Sequence, residues 1–278
     1  MGERPHQLGA AVGSLVEQLG DHDRVVVVAN GADHLEVLDG PAVELVTSDH
    51  NLGVPGGREL GVRSGRADVV AFLDDDAVLL GRAELIRQAF EQNVSLAAVS
   101  LRLVDEDGES LQRHVPRLGG SDPTVGGAVT HFLGGASAIR RRAYDEVGGY
   151  FADLFYGHEE IELSWRLIDA GWQIHYLADV EVFHPRSEIG RHEHGWQLTG
   201  RNRVWIARRT LPWPVAITHV TIWLVAGLLR VPDRSCRRSY LLGWWQGWRT
   251  SWPSGTPRRP ITWRGVWRLA RLGRPPVI

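Results

Sequence analysis

One cysteine, Cys236, and one methionine stand among 278 residues, and lysine is missing altogether: all 31 basic residues are arginine. A lone thiol excludes an internal disulfide and any multi-cysteine metal site, and it suits a reducing compartment. The absence of lysine points to a genome rich in G and C more than to any function. The opening MGERPHQLGAAVGSL has one early arginine but no long apolar run and no small-residue cleavage site, so it predicts no secretory signal. Internal repeats and low-complexity linkers are missing too.

What is present is a globular composition, 43% hydrophobic and 23% charged, in a chain long enough to bury a real core. The formal net charge of −2 conceals an asymmetry. Residues 1–185 carry 14 arginines against 30 acids, a balance of −16; residues 186–278 carry 17 arginines against 3 acids, a balance of +14. Ten of the 12 tryptophans lie in that second part. The chain therefore reads as an acidic body, 1–210, and a helical, arginine- and tryptophan-rich tail, 211–278.

Within the body, HQLGAAVGSLVEQL (6–19) predicts a helix. RVVVVAN (24–30) and VELVTSD (43–49) predict strands, and VPGGRELGVRSG (54–65) a glycine-rich helix start. A third strand, ADVVAFLDDD (67–76), a helix (81–93) and a strand (95–104) follow. The alternation predicts an α/β fold with a parallel or mixed sheet covered by helices, whose ligands bind at strand carboxyl ends. Beyond a loop at 115–127, YGHEEIELSWRLIDAGW holds a helix stopping at Gly171, and QIHYLADVEVFHP (173–185) reads as two short strands.

The chemistry concentrates in three places. If the strand continues through Asp74-Asp75-Asp76, side chains alternate, so Asp74 and Asp76 share one face and Asp75 takes the other. Two carboxylates converging without arginine partners make a hard-oxygen site for Mg²⁺ or Mn²⁺; the alternative is an acidic loop in which Asp76 caps a helix. Glu159 and Glu160 at a helix start suit a general base held ionised by the helix dipole. The alternative there is ordinary N-terminal acids, with Glu162 and Arg166 as a surface i,i+4 pair. His184, closing an apolar strand, is either a further metal ligand or a half-buried histidine bonded to backbone. His192 and His194 weakly suggest zinc, without further ligands.

Taken in order, NLGVPGGRELGVRSGRADVVAFLDDDA, FLGGASAIRRRAYDEVGGY, YGHEEIELSWRLIDAGW and VFHP resemble the family-2 glycosyltransferases of the GT-A fold over roughly residues 3 to 210. The resemblance implies inverting transfer of a sugar from a nucleotide-diphosphate donor, with a divalent cation, Mn²⁺ or Mg²⁺. It assigns Asp74, Asp76 and His184 to the metal, and Asn30, Arg58, Asp74 and Asp75 to the donor nucleotide. Gly134, Gly135, His158 and Trp165 fall to the donor sugar and acceptor, and Glu160 is the base, with Glu159 as the alternative. The family opens with a buried central strand, and MGERPHQL matches the stretch just after it. The expectation is a start placed too late or a truncated gene, with nucleotide binding impaired.

In the tail, LPWPVAITHVTIWLVAGLLRV (211–231) is borderline for a membrane span, and its arginine flanks suit an interfacial helix at least as well. The combined expectation is a cytoplasmic enzyme at the inner face of the plasma membrane, acting on a saccharide or lipid-linked acceptor in cell-envelope or polysaccharide synthesis and not on nucleic acid. A plain alternative is that the tail's tryptophans pack on the body. A non-catalytic nucleotide-sugar- or membrane-binding protein is the second reading.

Overall fold

In the computed structural model, residues 5–31, 40–117, 122–186 and 194–278 are described. The β-branched run Val25–Asn30 forms β1, which pairs in parallel with β2 (Val43–Ser48). Helix α1 (Pro5–Val16) precedes them, packing Leu8, Val12 and Leu15 against Val25 and Val27. Helix α2 (Gly53–Ser64) follows β2.

The main sheet is mixed. It contains β3 (Val69–Leu73), β4 (Val78–Leu79), β5 (Leu96–Val104), β6 (Gly127–Ala128), β7 (Ala136–Arg140) and β8 (Gln173–Phe183). Their order is β3-β7-β5-β8-β4, with β6 also on β8. Central β5 is almost wholly buried, as its near-continuous apolar sequence requires. It runs antiparallel to β7 and parallel to β8. Helix α3 (Ala83–Gln92) places Ile86 and Phe90 against Leu96, Val180 and Val182.

Two expectations change. Residues 173–185 form one strand rather than two, but the register with β5 jumps from Leu101↔Leu177 to Arg102↔Glu181. That irregularity, an extended bulge at 178–180, is the break the sequence pattern suggested. Second, β1–β2 and the main sheet are separate sheets, with no ladder between β1 and β3 among the described residues.

Helices α4 (Arg141–Val147), α5 (Glu159–Ala170), α6 (Gly195–Thr210), α7 (Trp213–Arg230), α8 (Arg234–Arg249) and α9 (Trp263–Arg271) complete the chain. One core joins Leu163, Leu167, Val204 and Ile206 with Val215, Val220, Ile261 and Leu269, so the section after 210 packs on the body. Gly200 and Gly243 allow α6 and α8 to touch, because a Cβ on either would meet the partner helix's backbone. Trp205 is buried and Trp244, Trp248 and Trp252 are partly so, whereas Trp213, Trp245, Trp263 and Trp267 are exposed. By length and composition, 18-residue α7 could cross a membrane; only 22% of it is buried here.

Candidate active site

Three strand registers assemble the site. β3 and β7 align with Leu73 opposite Ala136, and one step on the Asp74 amide donates to the Gly135 carbonyl at 3.1 Å. β4 and β8 align with Val78 opposite Phe183, which brings His184 across from the residues just before Val78. The His184 amide donates to the Val104 carbonyl at 2.9 Å, fixing it at the end of β5 as well.

The aspartates do not continue the strand: β3 ends at Leu73, and the Ala77 amide donates to the Asp74 carbonyl across a tight turn. Strand alternation is therefore not what directs them. Even so, ligand atoms of Asp74, Asp76 and His184 all lie within 4.8 Å of one another. His184 Nε2 lies 3.3 Å from Asp76 Oδ1, and its Nδ1 lies 2.9 Å from the Pro185 carbonyl. A carbonyl only accepts, so Nδ1 donates in that bond and Nε2 is the ring nitrogen that faces the carboxylates. Two carboxylates and one imidazole fit Mn²⁺ or Mg²⁺. Asp75 is outside this group and half-buried.

Arg58, on α2, corrects the expectation that the aspartates lack an arginine. Its guanidinium donates to Asp74 Oδ1 at 3.2 Å, Glu160 Oε1 at 2.8 Å and Glu159 Oε1 at 3.5 Å. Burial opposes its charge, but Tyr150, Glu160, Asp74 and Glu159 around it hold its pKa well above the ordinary value. Gly134 and Gly135 make this crowding possible. A Cβ on Gly134 would run into Glu160 and Arg58, and one on Gly135 into the Asp74 carboxylate.

The two glutamates differ. Glu159 is 2% exposed and its Oε2 is buried without a partner. Burial first, then the Glu160 charge, pushes its pKa up to about 8 against the pull of Arg58. Glu160 retains 20% side-chain exposure and the shorter bond to Arg58. Of the pair, Glu159 holds a proton at neutral pH and Glu160 is the accessible carboxylate.

The approach to α5 is held by His158 together with Phe155 and Asn202, which the sequence reading missed. Phe155 and His158 have φ of 63° and 74°, where side chains are strained. Asn202 Nδ2 donates to the carbonyls of Leu154, Tyr156 and Gly157 at 2.9–3.0 Å, tying this loop to α6. The Val54 amide donates to the Phe155 carbonyl at 2.7 Å, docking the start of α2 on the same loop. Thus the helices bearing Arg58 and Glu160 share one support. The RNR triplet, 201–203, was the available signal.

Glu162 and Arg166 do pair, but not on the surface. Their side chains are 0% and 7% exposed, with Arg166 donating at 2.6 and 2.9 Å and Arg209 and Thr210 adding further bonds. Burial alone would raise the Glu162 pKa, and the two arginines outweigh it and hold it below the usual carboxylate range.

Not every expected residue joins the cluster. Asn30 spends its amide on the loop before α2, accepting from the Leu52 amide at 2.8 Å and donating to the Gly53 carbonyl at 2.9 Å. His158 lies at the start of α5, and Trp165, buried, packs edge-on against His219. His192 falls outside the described residues. A separate cleft of about 400 Å³, bounded by Leu80, Arg82, Arg102 and Glu181, shares no residue with the cluster.

Comparison with known proteins points the same way. A pre-mycofactocin glycosyltransferase of Mycobacterium tuberculosis is 27% identical over 190 residues, covering 64% of this chain and 38% of that protein. The chain thus spans well under half the length of this curated relative. Among solved structures, GalNAc-T7 with UDP, GalNAc and Mn²⁺ superposes with a TM-score of 0.58 at 16% identity, over 85% of this chain and 52% of that one. S. aureus TarS with UDP-GlcNAc gives 0.55 at 13% identity over 85% and 76%. The mannosyltransferase PcManGT of Pyrobaculum calidifontis, with GDP-Man and Mn²⁺, gives 0.54 at 17% over 91% and 75%. These likenesses establish the GT-A fold. Residues 2–148, just over half the chain, match the sequence signature described as Glycosyl transferase family 2, and the chain belongs to that family.

Proposed function

We propose that the protein is a divalent-cation-dependent, inverting glycosyltransferase that moves a sugar from a nucleotide-diphosphate donor to a hydroxyl of a saccharide or lipid-linked acceptor. The observation that carries this reading is the convergence of Asp74, Asp76, His184, Arg58 and Glu160 at one sheet end.

Asp74, Asp76 and His184 would hold the cation, which when bound supplies positive charge to the departing diphosphate. Arg58 fixes Asp74 and Glu160 relative to each other through its bonds to both carboxylates. Glu160 accepts the acceptor hydroxyl's proton as that oxygen attacks the anomeric carbon, and the bond to the diphosphate breaks on the opposite face. Protonated Glu159 adds no second negative charge beside the base. Gly134 and Gly135, lacking side chains, let Glu160, Arg58 and Asp74 close in on the backbone at the floor of the site. A panel of nucleotide sugars with and without Mn²⁺, read by thermal shift and by nucleoside diphosphate release, tests the proposal.

The reading extends to a membrane face. α7 exposes Trp213, Ile217, Val225 and Leu229 at four- and eight-residue spacings, one stripe of the helix. α8 exposes Leu241, Leu242 and Trp245 between Arg238 and Arg249. Arginine beside exposed tryptophan and leucine suits an anionic lipid surface, and a peripheral place at the inner membrane face follows. Cosedimentation with anionic but not neutral vesicles would support it; no cosedimentation would remove it.

The break between β1 and β3 favours a second reading, a nucleotide-sugar-binding protein without turnover. Donor turnover separates the two.

A further inference from the structure

The outer edge of β8 carries a cleft that the reaction above does not use. β4 pairs with Val182 and Phe183 of β8, and β6 with His175 and Tyr176. Among the described residues, no strand lies beside 177–181 on that edge, and the bulge leaves 178–180 without a register partner on β5 as well. The cleft of about 400 Å³ opens into this gap, lined by Leu80, Arg82, Arg102, Thr124, Asp179 and Glu181. Its volume is that of a small-ligand site.

On local grounds Arg82 is the wrong residue for its position. It precedes α3 with φ of 65°, where a side chain is strained, and it makes no side-chain capping bond. Its exposed guanidinium reaches the Asp179 carbonyl at 3.4 Å and forms no ion pair among the described residues. The exposed Asp179 carboxylate forms none among them either. Arg102, by contrast, pairs with Glu181 at 2.8 Å and donates to Ser110 Oγ at 3.1 Å. The Thr124 hydroxyl donates to Asp122 at 2.6 Å, which leaves its oxygen free to accept. A strained arginine, a bulge and a gap in the sheet edge thus coincide at one cleft, and such irregularities cluster at functional sites.

The lining selects the ligand's chemistry. Two guanidiniums and two carboxylates cancel, so neither an anion nor a cation gains from the net field. A phosphate would face Asp179 and Glu181, and a metal ion would face the two arginines. A neutral ligand whose hydroxyls both donate and accept can engage all four groups and Thr124, and Leu80, 54% exposed, offers an apolar surface to the face of a ring. We propose that this cleft binds a neutral saccharide and holds the acceptor chain away from its reacting end. The saccharide site rests on the cleft alone; the word acceptor rests on the glycosyl-transfer reading. Glu181 precedes His184 by three residues, about 10 Å along the chain at ~3.3 Å per residue. A short oligosaccharide spans that distance.

The test uses the full chain in EDTA, without nucleotide. Binding of the methyl glycosides of glucose, galactose, mannose and rhamnose, and of maltotriose, is titrated by saturation-transfer NMR. At least one sugar should bind, and Arg82→Gly and Asp179→Ala should each weaken it at least about tenfold, the loss of one charge-assisted hydrogen bond. Arg82→Gly should also melt no lower than wild type, because glycine relieves the strained φ. A midpoint lowered by several degrees would show that Arg82 serves the fold and would count against the site. No binding of any of these sugars, or equal binding in both variants, overturns it. Sugar binding without nucleoside diphosphate release from any donor keeps the cleft and removes the transfer reading; release without sugar binding does the reverse.

Discussion

His184 Nε2 lies 3.3 Å from Asp76 Oδ1, while its other ring nitrogen is bonded to the Pro185 carbonyl. The orientation of this ring is set by backbone, so Nε2 is held facing the carboxylates. Substituting His184→Ala should weaken Mn²⁺ binding at least about tenfold without changing the melting midpoint in EDTA by more than a few degrees. Calorimetric titration with Mn²⁺ alone checks this. Unchanged affinity would remove His184 from the ligand set.

Gly134 and Gly135 make separable predictions. Gly135→Ala pushes against Asp74 and should lower Mn²⁺ affinity. Gly134→Ala pushes against Glu160 and Arg58, so it should lower transfer while Mn²⁺ binding persists. Titration and turnover on both variants would show the split; identical defects would contradict it.

Glu159 predicts a pH dependence of stability. Its carboxyl pKa is raised from an ordinary value of 4.5 to about 8. The folded state therefore holds a proton that the unfolded state releases. That contribution is fully present below about 4.5 and is lost as pH rises through about 8. Urea unfolding in EDTA should show stability falling across this window, and Glu159→Gln should flatten the fall. An equally steep profile in the variant would show that other groups carry it.

Glu162 should matter to stability rather than chemistry. It is fully buried and shared by Arg166, Arg209 and Thr210. Removing one partner of a buried pair leaves an uncompensated charge, a loss of about 3–5 kcal/mol. Glu162→Ala should cost that much in urea unfolding, and a loss under about 1 kcal/mol would mean that the network is solvated.

Much of this architecture is legible along the chain, because β1, β5 and α5 announce themselves in β-branched runs, apolar continuity and helical spacing. The DDD triplet, the GG pair, the HEE triplet and the final His184 were also readable, through their order. Strand alternation does not place Asp74 and Asp76: β3 ends at Leu73 and a turn directs them. Arg58 as their partner was out of sight, since its contacts depend on how α2 docks against the loop at Phe155. Likewise the spacing of Glu162 and Arg166 shows a pair, but burial comes from Arg209 and Thr210, on a helix more than forty residues away.

The account depends most on whether the sheet-end cluster binds and turns over a nucleotide sugar. The direct measurement is Mn²⁺-dependent donor thermal shift together with nucleoside diphosphate release, on wild type, Asp76→Ala and Glu160→Gln. Wild type should show both signals, Asp76→Ala neither, and Glu160→Gln the shift without release. A donor shift unchanged in Asp76→Ala would contradict the metal site, and release unchanged in Glu160→Gln would contradict the base.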